Sequence, residues 1–295
     1  MSKLIVVGDV MVDITAMINS PLAYASDAPG VITQQPGGAA ANTAAWAAYK
    51  GCDTVFVGSI GQDQIGINAK AALEEIGVDA RLVINPNVST GSCICIVDKS
   101  GERTMIPDQG ANAALSPDHL TDDLLDSSNH LHISGYTLLQ PTSNKAGLEI
   151  IRKATENGLK VSIDPSSASM IELVGVANMR KWLTGADIIF PNIDELNMLT
   201  GNEELESAVK DLLTIVSQVV VTLDQDGALF ADKSNQVLKL PAPKVAAIDA
   251  TGAGDAFAGG YLANWLQHHD PAAALAAGIA AGSECVTQVG ARPRV

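Results

Sequence analysis

The stretch Asp249-Ala-Thr-Gly-Ala-Gly-Asp255-Ala-Phe-Ala-Gly-Gly-Tyr-Leu262 sets three small residues, Gly252, Ala253 and Gly254, just before an apolar segment, Ala256 to Leu266, with helical spacing. A glycine-rich turn that opens a helix leaves backbone N–H groups unpaired at the positive end of the helix dipole. Such a turn cradles a phosphate or a developing oxyanion. Asp255 lies in the same first turn, so a carboxylate stands beside the anion site. Two readings of it follow. It is an acidic residue that complements the dipole, or a base for an attacking hydroxyl beside donors for a phosphoryl group.

Outward from this stretch the chain keeps an α/β rhythm. Leu4–Gly8 and Thr54–Gly58 are short apolar runs, as expected of strands buried on both faces. Ala39–Tyr49 reads as a helix, and Gln64–Ile76 as another ended by Gly77. From Ser116, where a cap precedes Pro117, the alternation is regular. Strands are expected at His130–Ser134, Lys160–Asp164, Asp187–Phe190 and Val219–Leu223, and helices at Ser143–Asn157, Leu205–Ser217, Ala256–Leu266 and Pro271–Val286. Repeated β-α-β units imply a mostly parallel sheet covered on both faces. Arg81–Ile84, Ser92–Val97 and Arg103–Pro107 read as further strands, with Asp98–Gly101 as a hairpin turn. Asn19–Gly30, rich in Pro, Ser and Asp, reads as loop or edge structure. Two segments, about 11–34 and 90–109, break the alternation and are placed to form a small antiparallel lid. The expectation is one domain over residues 1–295.

The 295 residues include 33 acidic and 18 basic ones, a formal charge of −15 with no basic run, which argues against a nucleic-acid partner. No apolar run is long enough to span a bilayer. The start is a short strand rather than a signal peptide, so a soluble cytoplasmic protein is expected. The four cysteines, Cys52, Cys93, Cys95 and Cys285, show neither a disulfide framework nor zinc spacing and read as small buried hydrophobes. His130 and His132 share a strand face without a third ligand at suitable spacing, so they read as buried or edge histidines. Walker-A, dinucleotide-fingerprint and hydrolase-elbow patterns are absent.

Two more elements lie upstream. Gly37-Gly38-Ala-Ala-Ala-Asn42 gives close backbone approach and an amide that both donates and accepts, or else simply a loop that starts a helix. Asn192-Ile-Asp-Glu195 places two polar residues three apart at the end of an apolar strand, where α/β proteins hold ligands, and it also fits a helix capping box. Taken in order from Gly8-Asp9 and Asp13 to Gly290-Ala291, the set resembles the PfkB (ribokinase-like) family of carbohydrate and nucleoside kinases. The resemblance implies a ribokinase-like three-layer α/β/α fold with a small β lid. It also implies ATP-dependent transfer of a phosphoryl group to a primary hydroxyl.

By the same resemblance Asp255 is the base, the Gly252, Ala253 and Gly254 amides are the anion hole, and Asp13, Gly38 and Asn42 contact the acceptor. Asn192 and Glu195 organise Mg²⁺, Glu195 through water, near the phosphates. Thr222, Gly227 and Gly290 lie by the nucleotide, and Asp249 holds a monovalent cation such as K⁺. Ala250 stands where the family often has Thr, and Ala39 where sugar kinases often have Lys. The Tyr24…Pro29-Gly30…Pro36-Gly38 stretch looks like some nucleoside and pseudouridine kinases, and Arg103 is the carboxylate partner if the acceptor is a 2-keto-3-deoxy acid. A sugar, a nucleoside and such an acid therefore stay open as acceptors. The rival from another class, a silent sugar- or nucleoside-binding regulator, predicts a damaged anion hole or a missing base. Exposed lid edges also make a homodimer the expectation.

Overall fold

Leu4–Val7 is apolar at every position because both of its faces are covered: Ile5 and Val7 enter one core cluster, Leu4 and Val6 the other. In this computed structural model, which describes residues 2–22, 25–99 and 103–294 (only the backbone of Arg103), that strand lies within a nine-stranded sheet. In chain order the strands are β1 (Leu4–Val7), β2 (Met11–Ile18), β3 (Gly30–Gly37), β4 (Thr54–Gly61), β5 (Asp79–Asn85), β6 (Gly91–Val97) and β7 (Arg103–Asp108). They continue as β8 (His130–Ser134), β9 (Lys160–Asp164), β10 (Ile188–Ile189), β11 (Gln218–Thr222), β12 (Ala228–Asp232) and β13 (Val237–Leu240). The large sheet runs β13-β12-β11-β10-β9-β8-β1-β4-β5, parallel except where β12 and β13 turn back as a hairpin edge. Helices cover both faces, giving three layers. Each fully buried Leu or Ile of these layers contributes about 1.5–3 kcal/mol.

The second sheet has four strands in the order β3-β2-β6-β7. It comprises the two segments that break the α/β rhythm, and its central pair, β2 and β6, runs parallel. The segment from Gly30 to Gly37, expected to belong to the lid as far as about residue 34 but without a strand of its own being marked, is a full strand, paired from Met11↔Gly37 to Ile18↔Gly30. Its residues are mostly exposed, so hydrophobic alternation left no trace of it. The Arg81 region is strand as expected but extends the large sheet beside β4. Of the expected hairpin turn at 98–101, Ser100 and Gly101 lie outside the described residues, as does Tyr24.

Other differences are local. The Ser116-Pro117 cap opens only a single 3₁₀ turn, Pro117–His119. Helices at Ala168–Val174, Val176–Leu183 and Ile193–Thr200 and strand β13 add to the expected set, being too short for a clear period. The final pair of helices, Ala253–His268 and Pro271–Cys285, pack on each other and on helix Ala39–Tyr49. All four cysteines are buried thiols. His130 and His132 are both buried on Ser162 Oγ at 2.9 Å, and burial pushes them down to about 4 and about 3, so they are neutral core groups. Among the described residues no helix is long and apolar enough to cross a membrane.

Candidate active site

Small side chains let two helices meet. Ala40 to Ala47 of the helix Ala39–Tyr49 are all buried, and a Cβ on Gly259 of the helix Ala253–His268 would press on Trp46 Cβ at 2.8 Å. Trp46 Nε1 donates to Ala291 O at 2.8 Å and draws the C-terminal segment into the same seam. Packed so, Asn42 Nδ2 donates to Asp255 Oδ2 at 2.9 Å, across 213 residues of chain. Arg292 Nε donates to Asn42 Oδ1 at 3.3 Å, and its Nη2 donates to Gly37 O at 3.0 Å. Gly38 caps the first of these helices where a Cβ would meet Asp9 O at 2.6 Å.

This end of the site is acidic and largely buried. Burial, opposed by the Asn42 hydrogen bond and reinforced by Asp164, Asp9 and Asp13, pushes the Asp255 carboxyl well above the ordinary range. Burial and the charge of Asp9 push Asp13 up to about 6, with Arg292 acting against them. Arg292, brought down to about 10 by burial, is the one buried Lys or Arg among the described residues. Asp9 accepts from the amides of Ala39 and Ala40, so it caps a helix from the end of a neighbouring strand. A carboxylate whose proton affinity is raised by its surroundings is suited to accept a proton near neutral pH.

The turn before Asp255 is built as the glycines suggested. The helix begins at Ala253, three residues before the expected start, because Gly252 takes a left-handed conformation (φ 76°) as its N-cap. Ala253 N–H turns back to Ala250 O at 3.3 Å, while the Gly252, Gly254 and Asp255 amides meet no acceptor among the described residues. A Cβ on Gly254 would meet nothing within 4 Å, so open space lies over the turn. Asp249 Oδ1 accepts from Thr251 N and Oγ1 at 3.0 and 2.7 Å, and its Oδ2 accepts from Gly290 N at 3.1 Å. Asp249 thus ties the turn to the C-terminal segment through Gly290.

Farther along the strand ends, Asn192 and Glu195 form a complete capping box. Asn192 Oδ1 accepts from Glu195 N at 2.8 Å, and Glu195 Oε2 accepts from Asn192 N at 3.0 Å. The box leaves Glu195 lone pairs free, and burial and the nearby Asp164 raise its carboxyl well above the usual range. Thr222 bridges to Asn192 at the adjoining strand end. A cleft of about 400 Å³ opens beside them, lined in part by Asn192, Asp194, Leu223, Asp224 and Lys239. Gly227 is buried at φ 99°, where a Cβ would meet Ala242 N at 2.7 Å, so backbone packing accounts for it.

The structure therefore brings Asp13, Gly38, Asn42, Asp255 and the Gly252 turn together at one end, and Asn192, Glu195 and Thr222 at the other. Both ends lie at the carboxyl edge of the sheet. Asp9 and Arg292 are site residues that motif reading left without a role. The one signal for Arg292 was its place directly after Gly290-Ala291.

Known proteins bear on this arrangement directly. The pfkB family of carbohydrate kinases matches residues 1–295. The chain belongs to that family. Like its other members it is a phosphotransferase acting on a sugar or nucleoside hydroxyl at the expense of ATP. An ATP-dependent ribose-1-phosphate kinase of Halopiger xanaduensis is 33% identical over 260 residues, 88% of this chain and 83% of that protein. A fructokinase of Klebsiella pneumoniae is 30% identical over 296 residues, 96% and 91% of the two chains. A putative ribokinase II of E. coli, solved with ATP and Mg²⁺, superposes with a TM-score of 0.88 at 26% identity over 99% of this chain and 94% of that one.

Proposed function

We propose that this pfkB kinase transfers the γ-phosphoryl group of ATP to a primary hydroxyl of a small, ribose-like carbohydrate, with Asp255 as general base. The observation that carries the reading is a carboxyl of raised proton affinity next to open, unpaired amides at a helix start. The acceptor oxygen attacks the γ-phosphorus as its proton passes to Asp255, and ADP leaves. The Gly252, Ala253 and Gly254 turn faces the phosphoryl oxygens, its Ala253 amide freed by breaking a long turn bond. Asp13 and Asn42 orient the acceptor hydroxyls, and Gly38 lets the backbone approach.

Asn192, Glu195 and Thr222 serve the nucleotide end, where Gly227 shapes the wall and Gly290 links it to Asp249. The buried, charge-raised Glu195 and Asp164 carboxylates are hard oxygen donors that fit Mg²⁺, with Glu195 acting through water. When bound, the ion neutralises charge on the phosphates. Asp249 is the candidate for a monovalent cation. Activity should then rise when K⁺ replaces a bulky inert cation at constant ionic strength, and a flat response removes that site.

The four-stranded sheet acts as a lid. Hydrogen exchange in residues 11–18 and 91–97 should slow when acceptor binds, and unchanged exchange argues against closure. Ile14, Ile94 and Ile106 pair across its outer face, and Ile32, Ile94 and Ile106 are exposed, which supports a homodimer through the lid. A monomer in sedimentation at working concentration would count against that.

The deciding experiment is ADP release across ribose, fructose, ribose 1-phosphate, pseudouridine, common nucleosides and 2-keto-3-deoxygluconate. Turnover is expected with a ribose-like sugar. No release with any member overturns the reading.

A further inference from the structure

Arg292 has a property that neither the anion turn nor the Asp/Asn acceptor set explains. A guanidinium can only donate hydrogen bonds, so the Asn42 atom facing it must be the carbonyl oxygen. The other end of the amide, Nδ2, is then left to face Asp255. The orientation of one buried amide is thereby fixed by a residue 250 positions away in the chain. Arg292 is itself held by Gly37 O, and the adjoining Ala291 O is anchored by the buried Trp46. Its Nη1 is buried without an acceptor among the described residues.

We propose that Arg292 is the positioning residue of the base: it locks the Asn42 amide with Nδ2 toward Asp255, which keeps that carboxylate ionised and aimed. The inference rests on the reading of Asp255 as base. Without a donor-only neighbour the amide can turn over and present its oxygen to Asp255, which favours the protonated acid. The surroundings push the same way. Asp9 and Asp13 bear on Asp255 from the acceptor side, and Asp164 from the end of β9. Tyr136 and Glu195 feel its charge from the helices Gly135–Leu139 and Ile193–Thr200, and Cys285 from the last helix. Arg292 supplies the opposing charge.

The test is the pH dependence of kcat at saturating acceptor and MgATP for the wild type, Arg292→Gln and Arg292→Lys. Under saturation the profile reports groups in the bound complex, so Asp13 acting on acceptor affinity appears in kcat/KM instead. The acid limb of kcat should move up by about 1–3 pH units in Arg292→Gln, the effect of removing a nearby opposite charge, and by less in Arg292→Lys. Activity should be recovered toward high pH. A merely structural Arg292 lowers kcat equally at every pH and leaves the limb where it was, and that outcome overturns the proposal. If Arg292→Gln does not fold, Arg292→Met, which keeps the length of the side chain but has neither donor nor charge, decides in its place. A displaced limb then supports the proposal and an unmoved one overturns it. Failure of the underlying reading looks different, for then Asp255→Asn stays active whatever is done at Arg292.

Discussion

At the Asp255 end of the site, side chains bond one another across 213 and 250 residues of chain, whereas at the Asn192 end the bonds of Asn192 and Glu195 span three. The first end is the more buried: Asn42 and Arg292 are buried, and of their side-chain polar atoms only Arg292 Nη1 lacks a partner among the described residues. The second opens into a cleft beside the strand ends. The contrast separates two kinds of construction. Proton affinity is set where carboxylates are dried and crowded, because burial acts on every group there at once. The Asn192 end raises Glu195 by the same burial, but holds it in a local three-residue box beside open space.

The largest effect that would break this contrast lies at Asp255. Asp255→Asn keeps the size of the side chain and, with its amide turned, the bond to Asn42, but it cannot take a proton. Turnover should fall by ~10²–10⁴ or more, the usual contribution of a general base, with far smaller changes in affinity for acceptor and ATP. Steady-state kinetics and thermal melts on the one variant separate the two roles. Near-normal turnover combined with a lowered Tm would make Asp255 a helix-start residue and no more.

Gly227 probes the opposite end. With φ 99° and the Leu240–Ala242 backbone pressed against its Cα, Gly227→Ala introduces both strain and collision. A loss of about 1–3 kcal/mol is expected, several degrees in Tm, with turnover per folded molecule retained. A raised KM for ATP at unchanged Tm would instead assign Gly227 to nucleotide contact.

The same contrast governs what the sequence could disclose. Strands His130–Ser134 and Lys160–Asp164 and helix Ala39–Tyr49 fall where their patterns put them, since burial on both faces or continuous small-residue packing marks every position. The Asn192–Glu195 capping box was legible because its partners are three residues apart. Arg292 was not, since a single arginine gives no local sign that a helix at the other end of the chain needs a donor-only neighbour. The strand Gly30–Gly37 was legible only as part of the lid segment reaching about residue 34, and its bounds were not, for a related reason: its place comes from pairing with β2, and its own side chains are mostly exposed. The glycine turn that opens the helix before Asp255 was readable, yet which of its amides stay unpaired depends on a bond back to Ala250.

The smallest effect concerns Glu195, and its sign follows from linkage. Burial and Asp164 raise its carboxyl in the folded protein, so the folded state holds the proton more tightly than the unfolded chain. That stability is present in the acid range and is lost as pH rises from the ordinary carboxylate range through the raised value. Glu195→Gln keeps the backbone bonds of the capping box, because a glutamine oxygen accepts from the Asn192 backbone amide as a carboxylate does; it gives up the bond from Asn192 Nδ2 at every pH and has no proton to lose. The variant should therefore gain on the wild type as pH rises from about 5 to about 8 in thermal melts. One group bounds the slope at ~1.4 kcal/mol per pH unit, roughly 2–4 °C for a chain of this size. The charge of Asp164 is one of the causes that raise Glu195, so the titration of Asp164 over the same range holds the observed slope below that bound. MgATP should shrink the gap, since the ionised carboxylate then faces a cation. A gap that stays constant with pH would mean that Glu195 ionises alike in the folded and unfolded chain, so that burial and Asp164 do not raise its carboxyl.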